Sequence, residues 1–149
     1  MNLALSLAKT AKSIDEVPVG ALIIRNQEIV GTGFNQRESL QDSCSHAELI
    51  AIQEACRNLG QWRLLDCTLV VTLEPCIMCT GAIIQSRIPT VIYGASDPKG
   101  GAMGSLYNLH NDPRLNHSVC VYSGVLQDPC SQILKDFFKK KRQSKPDSK

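Results

Sequence analysis

Two short segments of the 149-residue chain combine residue types that bind metals and move protons. They are Ser45-His46-Ala47-Glu48 and Pro75-Cys76-Ile77-Met78-Cys79. Cys76 and Cys79 share one face if that segment is helical, and the helix dipole lowers the pKa of thiols in a first turn. One imidazole and two thiolates suit zinc, and three protein ligands leave a fourth position open for water. We therefore predict a catalytic zinc site formed by His46, Cys76 and Cys79.

Glu48 follows His46 closely and could serve this site without binding the metal. Zinc can lower the pKa of its water to about 7, and a nearby carboxylate can pass the proton to a leaving amine. Two simpler interpretations remain open. Ser45 and Glu48 also match a helix capping box, which would make Glu48 structural. Cys76 and Cys79 by themselves could be a redox pair or two buried thiols.

The hydrophobic spacing predicts the elements that must position these residues. Helices are predicted over 2–14, 46–59, 75–86, 104–110 and 128–142, and strands over 19–24, 28–34, 67–73, 90–93 and 118–122. The first two strands form a hairpin joined at Asn26-Gln27, residues 35–45 form a loop, and Pro75 opens its helix. Strands that alternate with helices after an antiparallel start predict an α/β fold, a three-layer α/β/α sandwich with a mixed five-stranded sheet.

The composition is typical of one folded domain. Hydrophobic residues make up 43% and charged residues 20%, which excludes wholesale disorder and coiled coil. No run approaches the roughly 18 apolar residues of a membrane-spanning helix. We predict a single domain over residues 1–142 and a basic, disordered tail over 143–149. Basic residues concentrate from 135 onward, which fits either a nucleic-acid partner or a solubilising tail.

The seven cysteines are an odd number, and the N-terminus is typical of an amphipathic helix interrupted by Lys9 and Lys12 rather than of a secretion signal. We therefore expect reduced thiols and a cytoplasmic protein. His110 and His117 lie in polar sequence without ligand spacing. Five cysteines outside the metal motif are predicted to pack in the core, namely Cys44, Cys56, Cys67, Cys120 and Cys130.

A His-x-Glu segment followed by Pro-Cys-x-x-Cys resembles the signature of zinc-dependent nucleobase deaminases. Over nearly its whole length the chain resembles the bacterial tRNA-specific adenosine deaminases, which convert the wobble adenosine of an anticodon to inosine. The segments that carry this resemblance include residues 16–21 (EVPVGA), 33–35 (GFN), 46–48 (HAE), 62–64 (WRL), 73–79 (LEPCIMC), 86–88 (SRI), 97–101 (DPKGG) and 137–139 (FFK). The chain departs from the family at Ser43-Cys44-Ser45, where a proline followed by small residues is more common.

The resemblance implies a cytidine-deaminase-like fold, a homodimer with the active site near the subunit interface, and a tRNA anticodon stem-loop as partner. It implies that the predicted ligands hold a single zinc ion per chain and that Glu48 shuttles the proton. It further implies that Asn35 contacts the inserted nucleoside and that Asp97 contacts its ribose or the adjacent backbone. Taken alone, Asn35 fits an ordinary turn residue and Asp97 a capping carboxylate.

Two other functions remain open at this stage. A deaminase of a free base or nucleotide, of the guanine or deoxycytidylate type, would use the same metal site but gives no reason for a basic C-terminus. A non-catalytic, zinc-stabilised RNA-binding module would need a fourth protein ligand and a dispensable Glu48. Only 5% of the residues are aromatic, which leaves little stacking surface for single-stranded RNA.

Overall fold

A computed structural model of the chain describes residues 1–145. The helices are α1 (Asn2–Ser13), α2 (Arg37–Leu40), α3 (Ala47–Leu59), α4 (Ile77–Gln85) and α5 (Gln127–Ser144). The strands are β1 (Gly20–Arg25), β2 (Glu28–Phe34), β3 (Cys67–Leu73), β4 (Thr90–Ala95) and β5 (Cys120–Tyr122). Most of these elements lie within two residues of their predicted positions.

The strands form one five-stranded sheet in the order β2-β1-β3-β4-β5. β1 is antiparallel to both β2 and β3, while β3, β4 and β5 are parallel to one another. Asn26 and Gln27 join β1 to β2 with φ angles of +50° and +64°, which is the backbone of a tight hairpin turn. The predicted mixed sheet and its hairpin are confirmed.

Helices cover both faces of the sheet, as the α/β/α prediction requires. The larger core lies between the sheet and the α3–α4 layer, where Ile23, Leu69 and Ile83 are fully buried. On the opposite face, α1 packs on β1 and α5 packs on β4. Leu22 and Val70 point to that second face, because neighbouring strand residues alternate between faces. Because α3 and α4 pack on the first face, the sheet determines where the N-terminal ends of these two helices lie in space.

Three predicted boundaries are wrong. The predicted loop over 35–45 contains the short helix α2. Helix α4 begins at Ile77 with Cys76 as its N-cap, so Pro75 lies before the helix instead of at its first position. Residues 104–110 are not a helix, because Gly104 has a φ of +135° and Met103 pairs with Asn108 across a tight turn. Only a 3₁₀ turn at Leu109–Asn111 remains of it.

Helix α5 continues to Ser144, so residues 143 and 144 are helical where the sequence predicted the start of a disordered tail. The part of that predicted tail beyond Lys145 lies outside the described residues. Within residues 1–145, no helix is both long enough and apolar enough to cross a bilayer.

The core prediction for the remaining cysteines is correct only in part. Cys67 and Cys130 are buried and Cys56 is half-buried, as expected for small apolar side chains. Cys44 and Cys120 are exposed, which contradicts the prediction. Cys44 lies in the turn before α3, and Cys120 lies on β5 at the edge of the sheet, so neither has a second layer to cover it.

Candidate active site

The predicted metal ligands meet where α3 and α4 begin. His46 is the N-cap of α3 and Cys76 is the N-cap of α4, while Cys79 lies in the first turn of α4. Neither N-cap side chain bonds to the backbone of its own helix. Both are therefore available to each other across the gap between the two helices.

Two glycines of β2 let α3 lie directly against the sheet. A Cβ atom on Gly33 would lie 2.2 Å from the carbonyl oxygen of Ala47, and one on Gly31 would lie 2.3 Å from that of Ala51. Real Cβ atoms do not approach backbone oxygens so closely, so only glycine fits at these positions. This close packing sets the position of the helix start that carries His46.

The distances between the ligand atoms fit one shared metal ion. His46 Nδ1 lies 3.6 Å from Cys76 Sγ and 3.5 Å from Cys79 Sγ. Tetrahedral zinc, with Zn–S of about 2.3 Å and Zn–N of about 2.0 Å, places such atoms about 3.5 Å apart. Within residues 1–145, these three residues form the only group of possible ligand side chains close enough to share an ion. The donor set and its spacing both suit zinc with an open fourth position.

The two thiols share a hydrogen bond that shifts their pKa values in opposite directions. A hydrogen bond from Cys79, helped by His46 and opposed by burial, lowers the pKa of Cys76 to about 4. Sharing its proton with Cys76, together with burial, raises the pKa of Cys79. The hydrogen bond to Cys76 also raises the pKa of His46, although burial acts against it. Two sulfur atoms and an imidazole nitrogen thus converge on one point, and this donor set suits a cation.

Glu48 lies beside this group. Its side chain is only 4% exposed, and its Oε2 lies 3.3 Å from Cys79 Sγ. Burial raises the pKa of the Glu48 carboxyl. The capping-box alternative is not formed, because the N-cap is His46 and the hydroxyl of Ser45 donates instead to Asp42 at 2.7 Å. The Glu48 side chain therefore faces the cluster of His46, Cys76 and Cys79 instead of capping its own helix.

A pocket of about 240 Å³ opens onto this group. Its lining includes the side chains of Glu16, Asn35, His46, Glu48, Glu74, Cys76 and Asp97. All the predicted site residues except Cys79 thus line one cavity, and Cys79 is fully buried against His46 and Glu48. His110 and His117 do not line the pocket, and His117 Nε2 lies 2.8 Å from the carbonyl oxygen of Ile88.

Asn35 and Asp97 have structural contacts in addition to their places in the pocket wall. Asn35 is 6% exposed, and its amide donates to the carbonyl oxygen of Val17 at 3.3 Å. Asp97 accepts hydrogen bonds from the backbone N–H groups of Lys99 and Gly100, both at 3.1 Å. Asp97 is therefore a turn-capping carboxylate that also faces the cavity.

Two buried carboxylates of the pocket wall, Glu16 and Glu74, are not predicted as site residues from the sequence. Each is at most 2% exposed. Burial raises the pKa of Glu16, but hydrogen bonds from the hydroxyl and backbone of Ser39 outweigh it and lower the pKa overall. Both residues belong to motifs that carry the family resemblance, where a carboxylate stands next to apolar residues. A carboxylate in an apolar segment could have indicated a buried residue with a specific role, since carboxylates are rarely buried without strong partners.

The unusual Ser43-Cys44-Ser45 segment forms a turn organised by Asp42. The Asp42 carboxylate accepts hydrogen bonds from the backbone N–H of Cys44 and from the hydroxyl of Ser45. The Cys44 side chain is exposed to solvent. The departure from the family pattern therefore leaves the placement of His46 intact.

The α/β/α sandwich, with a His-Cys-Cys group and a buried glutamate at two helix starts, defines a protein of the cytidine-deaminase-like class. A model of the MafB19-like deaminase family matches residues 1–142. The tRNA-specific adenosine deaminase of Bacillus subtilis is 48% identical over 145 residues, which cover 97% of this chain and 90% of that protein. The chain belongs to the family of tRNA-specific adenosine deaminases.

Solved structures agree with this assignment. A structure from a study of A-to-I editing by tRNA:A34 deaminases superimposes with a TM-score of 0.87 at 42% identity, covering 90% of this chain and 97% of the other. The guanine deaminase from Bacillus subtilis is more distant, with a TM-score of 0.63 at 28% identity over 99% and 94% of the two chains. The fold is thus shared with deaminases of free bases, whereas the closer sequence similarity is to the tRNA enzymes.

Proposed function

We propose that this protein is a zinc-dependent hydrolase that converts the wobble adenosine of a tRNA anticodon loop to inosine. The observation that carries the proposal is the buried Glu48 carboxyl, which lies 3.3 Å from Cys79 Sγ and lines the same pocket as His46. The proposed tRNA substrate is supported by the 48% identity of this chain to a tRNA-specific adenosine deaminase. Residues 1–142, the span matched by the family model, form the deaminase domain in this proposal.

His46, Cys76 and Cys79 would hold one zinc ion per chain. When bound, zinc at an open site acidifies a water molecule and supplies a nucleophile at neutral pH. Glu48 would accept a proton from the attacking water and return it to the departing amine. In the overall reaction, water adds to the amine-bearing carbon and the C–N bond breaks. Ammonia leaves, and a carbonyl group remains on the base.

Asn35 and Asp97 would bind the nucleoside that enters the pocket. The Asn35 amide donates to the carbonyl oxygen of Val17, and its Oδ1 accepts from the backbone N–H of Arg37, which leaves the second lone pair of Oδ1 for a donor on the base or sugar. Asp97 is held by the turn that it caps, so its position in the wall is fixed before substrate arrives. A fixed wall reduces the ordering cost of binding.

A second groove adjoins the pocket and supports an RNA substrate over a free base. It is lined by Ile14, Phe138, Lys141, Arg142 and Lys145 among others, and it shares Val17 and Glu38 with the pocket. Phe138 is 44% exposed, so an aromatic ring stands beside several cations at the end of α5. Phosphates and unstacked bases are the groups that such a surface binds.

We further propose that the protein acts as a homodimer in the cytoplasm, where tRNA is processed and thiols stay reduced. Large apolar side chains stay exposed next to the pocket elements, including Ile77 at the start of α4 and Leu106 beyond Ser105. A second copy would cover such side chains. Sedimentation of the wild type as a dimer and of Leu106→Glu as a monomer would support this arrangement, and a monomeric wild type would contradict it.

The substrate is tested by presenting the protein separately with an anticodon stem-loop that carries a wobble adenosine and with free adenosine, guanine and cytidine nucleotides. We expect inosine formation in the stem-loop and little turnover of the free compounds. Efficient deamination of a free base or nucleotide, with an inert stem-loop, would favour the small-molecule alternative. Tight stem-loop binding without any turnover would favour the non-catalytic module.

A further inference from the structure

Glu74 is a buried carboxylate in the pocket wall that the proposed chemistry does not use. It follows β3 and is 2% exposed. Its Oε2 accepts hydrogen bonds from the backbone N–H groups of Met103 and Ser105, both at 3.2 Å. Its Oε1 accepts one from the hydroxyl of Ser105 at 2.5 Å and one from the N–H of Asp97 at 3.3 Å. A single side chain thus binds both ends of the segment 97–105.

The segment 97–105, here called the Asp97 loop, is closely fitted to this carboxylate. A Cβ atom on Gly101 would lie 1.9 Å from Glu74 Oε2 and 2.7 Å from the backbone carbonyl oxygen of Asp97, so a larger residue does not fit at that point. Gly101 also pairs with Cys76, and the N–H of Ala102 donates to the carbonyl oxygen of Pro75 at 2.9 Å. The Asp97 loop is therefore docked on the short segment that leads into the metal ligands.

The partners of Glu74 are hydrogen-bond donors of the loop, not a cation. Within residues 1–145, no basic side chain forms a salt bridge with it. A buried carboxylate in this setting depends on N–H and O–H donors, and the donors depend equally on it. The Asp97 loop can consequently take up its observed conformation only when the Glu74 carboxylate is in place to accept these hydrogen bonds.

From this network we propose that Glu74 is a positioning residue for substrate binding, which acts through the loop to hold Asp97 in the pocket wall. Glu74 needs no contact with the substrate for this role. The inference rests on the proposed function, in which Asp97 contacts the nucleoside. It adds that the placement of Asp97 is set by a side chain that lies directly after β3, two residues before Cys76.

A double-mutant cycle tests whether Glu74 acts through Asp97. The variants are Glu74→Gln, Asp97→Ala and the double variant, each assayed for kcat and KM on the anticodon stem-loop and for zinc content. Misplacing a binding group by about 1 Å can cost up to about a hundredfold, so we expect Glu74→Gln to lower kcat/KM by at least about tenfold, mainly through KM. In the Asp97→Ala background the same change should cost less than about twofold, since coupled residues are not additive. Full additivity of the two losses would overturn the proposal.

A second measurement does not depend on activity. Hydrogen exchange at the amides of Met103 and Ser105 should become faster in Glu74→Gln, while exchange in α3 stays unchanged. The matched control is Glu54→Gln, because Glu54 accepts hydrogen bonds from the N–H and hydroxyl of Thr32 and does not line the pocket. It should loosen β2 and leave the loop protected.

These readouts separate the proposal from the function on which it rests. If the wild type fails to deaminate the stem-loop, the proposed function fails, and loop exchange still reports whether Glu74 orders the loop. Unchanged exchange at Met103 and Ser105 in Glu74→Gln would overturn the positioning role whatever the activity. Should Glu74→Gln fail to fold, Ser105→Ala removes one donor to the same carboxylate and is measured in its place.

Discussion

At the scale of single residues, two of the proposed metal ligands, His46 and Cys76, occupy helix N-cap positions. His46 and Cys76 make no side-chain bond to the helices that they begin. Losing an N-cap bond costs a helix about 1 kcal/mol, so both helix starts are weaker than they could be. An ion bound by the proposed ligands would stabilise the folded chain and offset that cost. Ligand loss should therefore be visible in stability as well as in metal content.

The role of Glu48 is tested by Glu48→Gln, which keeps the shape of the side chain but cannot accept and return a proton. We expect turnover to fall by at least about a hundredfold, the usual range for a lost general acid–base. Zinc content and stem-loop affinity should stay unchanged. Turnover, elemental analysis and thermal melting are measured on the same preparation. Retained turnover with a lowered melting temperature would instead assign Glu48 a structural role.

The metal set is tested by Cys76→Ala against the control Cys44→Ala. Cys76 lies 3.6 Å from His46 Nδ1, whereas Cys44 is exposed in the turn before α3. We expect Cys76→Ala to lose most of its zinc and to melt at a lower temperature, because metal binding contributes to folding free energy. Cys44→Ala should match the wild type in both measurements. Full zinc occupancy in Cys76→Ala would contradict the proposed ligand set.

At the scale of elements, the sequence predicted α3 and β3 well and the start of α4 poorly. Helix α3 has clear hydrophobic periodicity and ends at Gly60, whose φ is +66°, whereas β3 is a short, nearly continuous buried run that Glu74 and Pro75 follow. Cys76 stays extended because it pairs with Gly101, a contact between distant parts of the chain that no local pattern contains. The same reason explains the missing helix at 104–110, where Ser105 bonds to Glu74 instead of to a helical neighbour.

The close packing of α3 on β2 is tested by Gly33→Ala and Gly31→Ala. Both added methyl groups overlap the backbone of α3, and overpacking of this kind costs about 1–3 kcal/mol of stability. Gly33→Ala acts on Ala47, next to His46, so it should also weaken zinc binding. Gly31→Ala acts one turn farther along and should leave zinc affinity closer to that of the wild type. Urea unfolding and competition with a chelator measure the two effects, and equal zinc affinity in both variants would contradict the account.

At the scale of the whole molecule, folding places the basic end of α5 close to the candidate active site, which the composition alone could not show. The basic residues near the C-terminus are remote in sequence from His46, yet α5 packs against β4 and its end lines a groove that adjoins the pocket. Lys141 also forms an ion pair with Asp15, which ties α5 to the end of α1. The sequence therefore showed that the C-terminal part of the chain is basic, but it did not show that this part lies next to the pocket.

The contribution of this surface to RNA binding is tested with Arg142→Ala/Lys145→Ala. Both side chains are exposed and line the groove, and this choice leaves the ion pair of Lys141 in place. Each phosphate contact on a single strand contributes about −0.7 to the slope of log affinity against log salt, so we expect weaker stem-loop binding and a flatter slope. The control removes Lys9 and Arg57, exposed cations outside the groove. An unchanged slope in the test variant would reduce the basic end to a solubilising role.

The most direct test of the central claim follows oxygen from water into the wobble nucleoside of an anticodon stem-loop. The reaction is run in water enriched in ¹⁸O with the wild type and with Glu48→Gln, and the nucleosides are identified by mass spectrometry. Hydrolytic deamination predicts inosine at the wobble position alone, carrying the heavy oxygen, in the wild type and almost none in the variant. Inosine without the heavy oxygen, inosine at other positions, or equal amounts from both proteins would contradict the account.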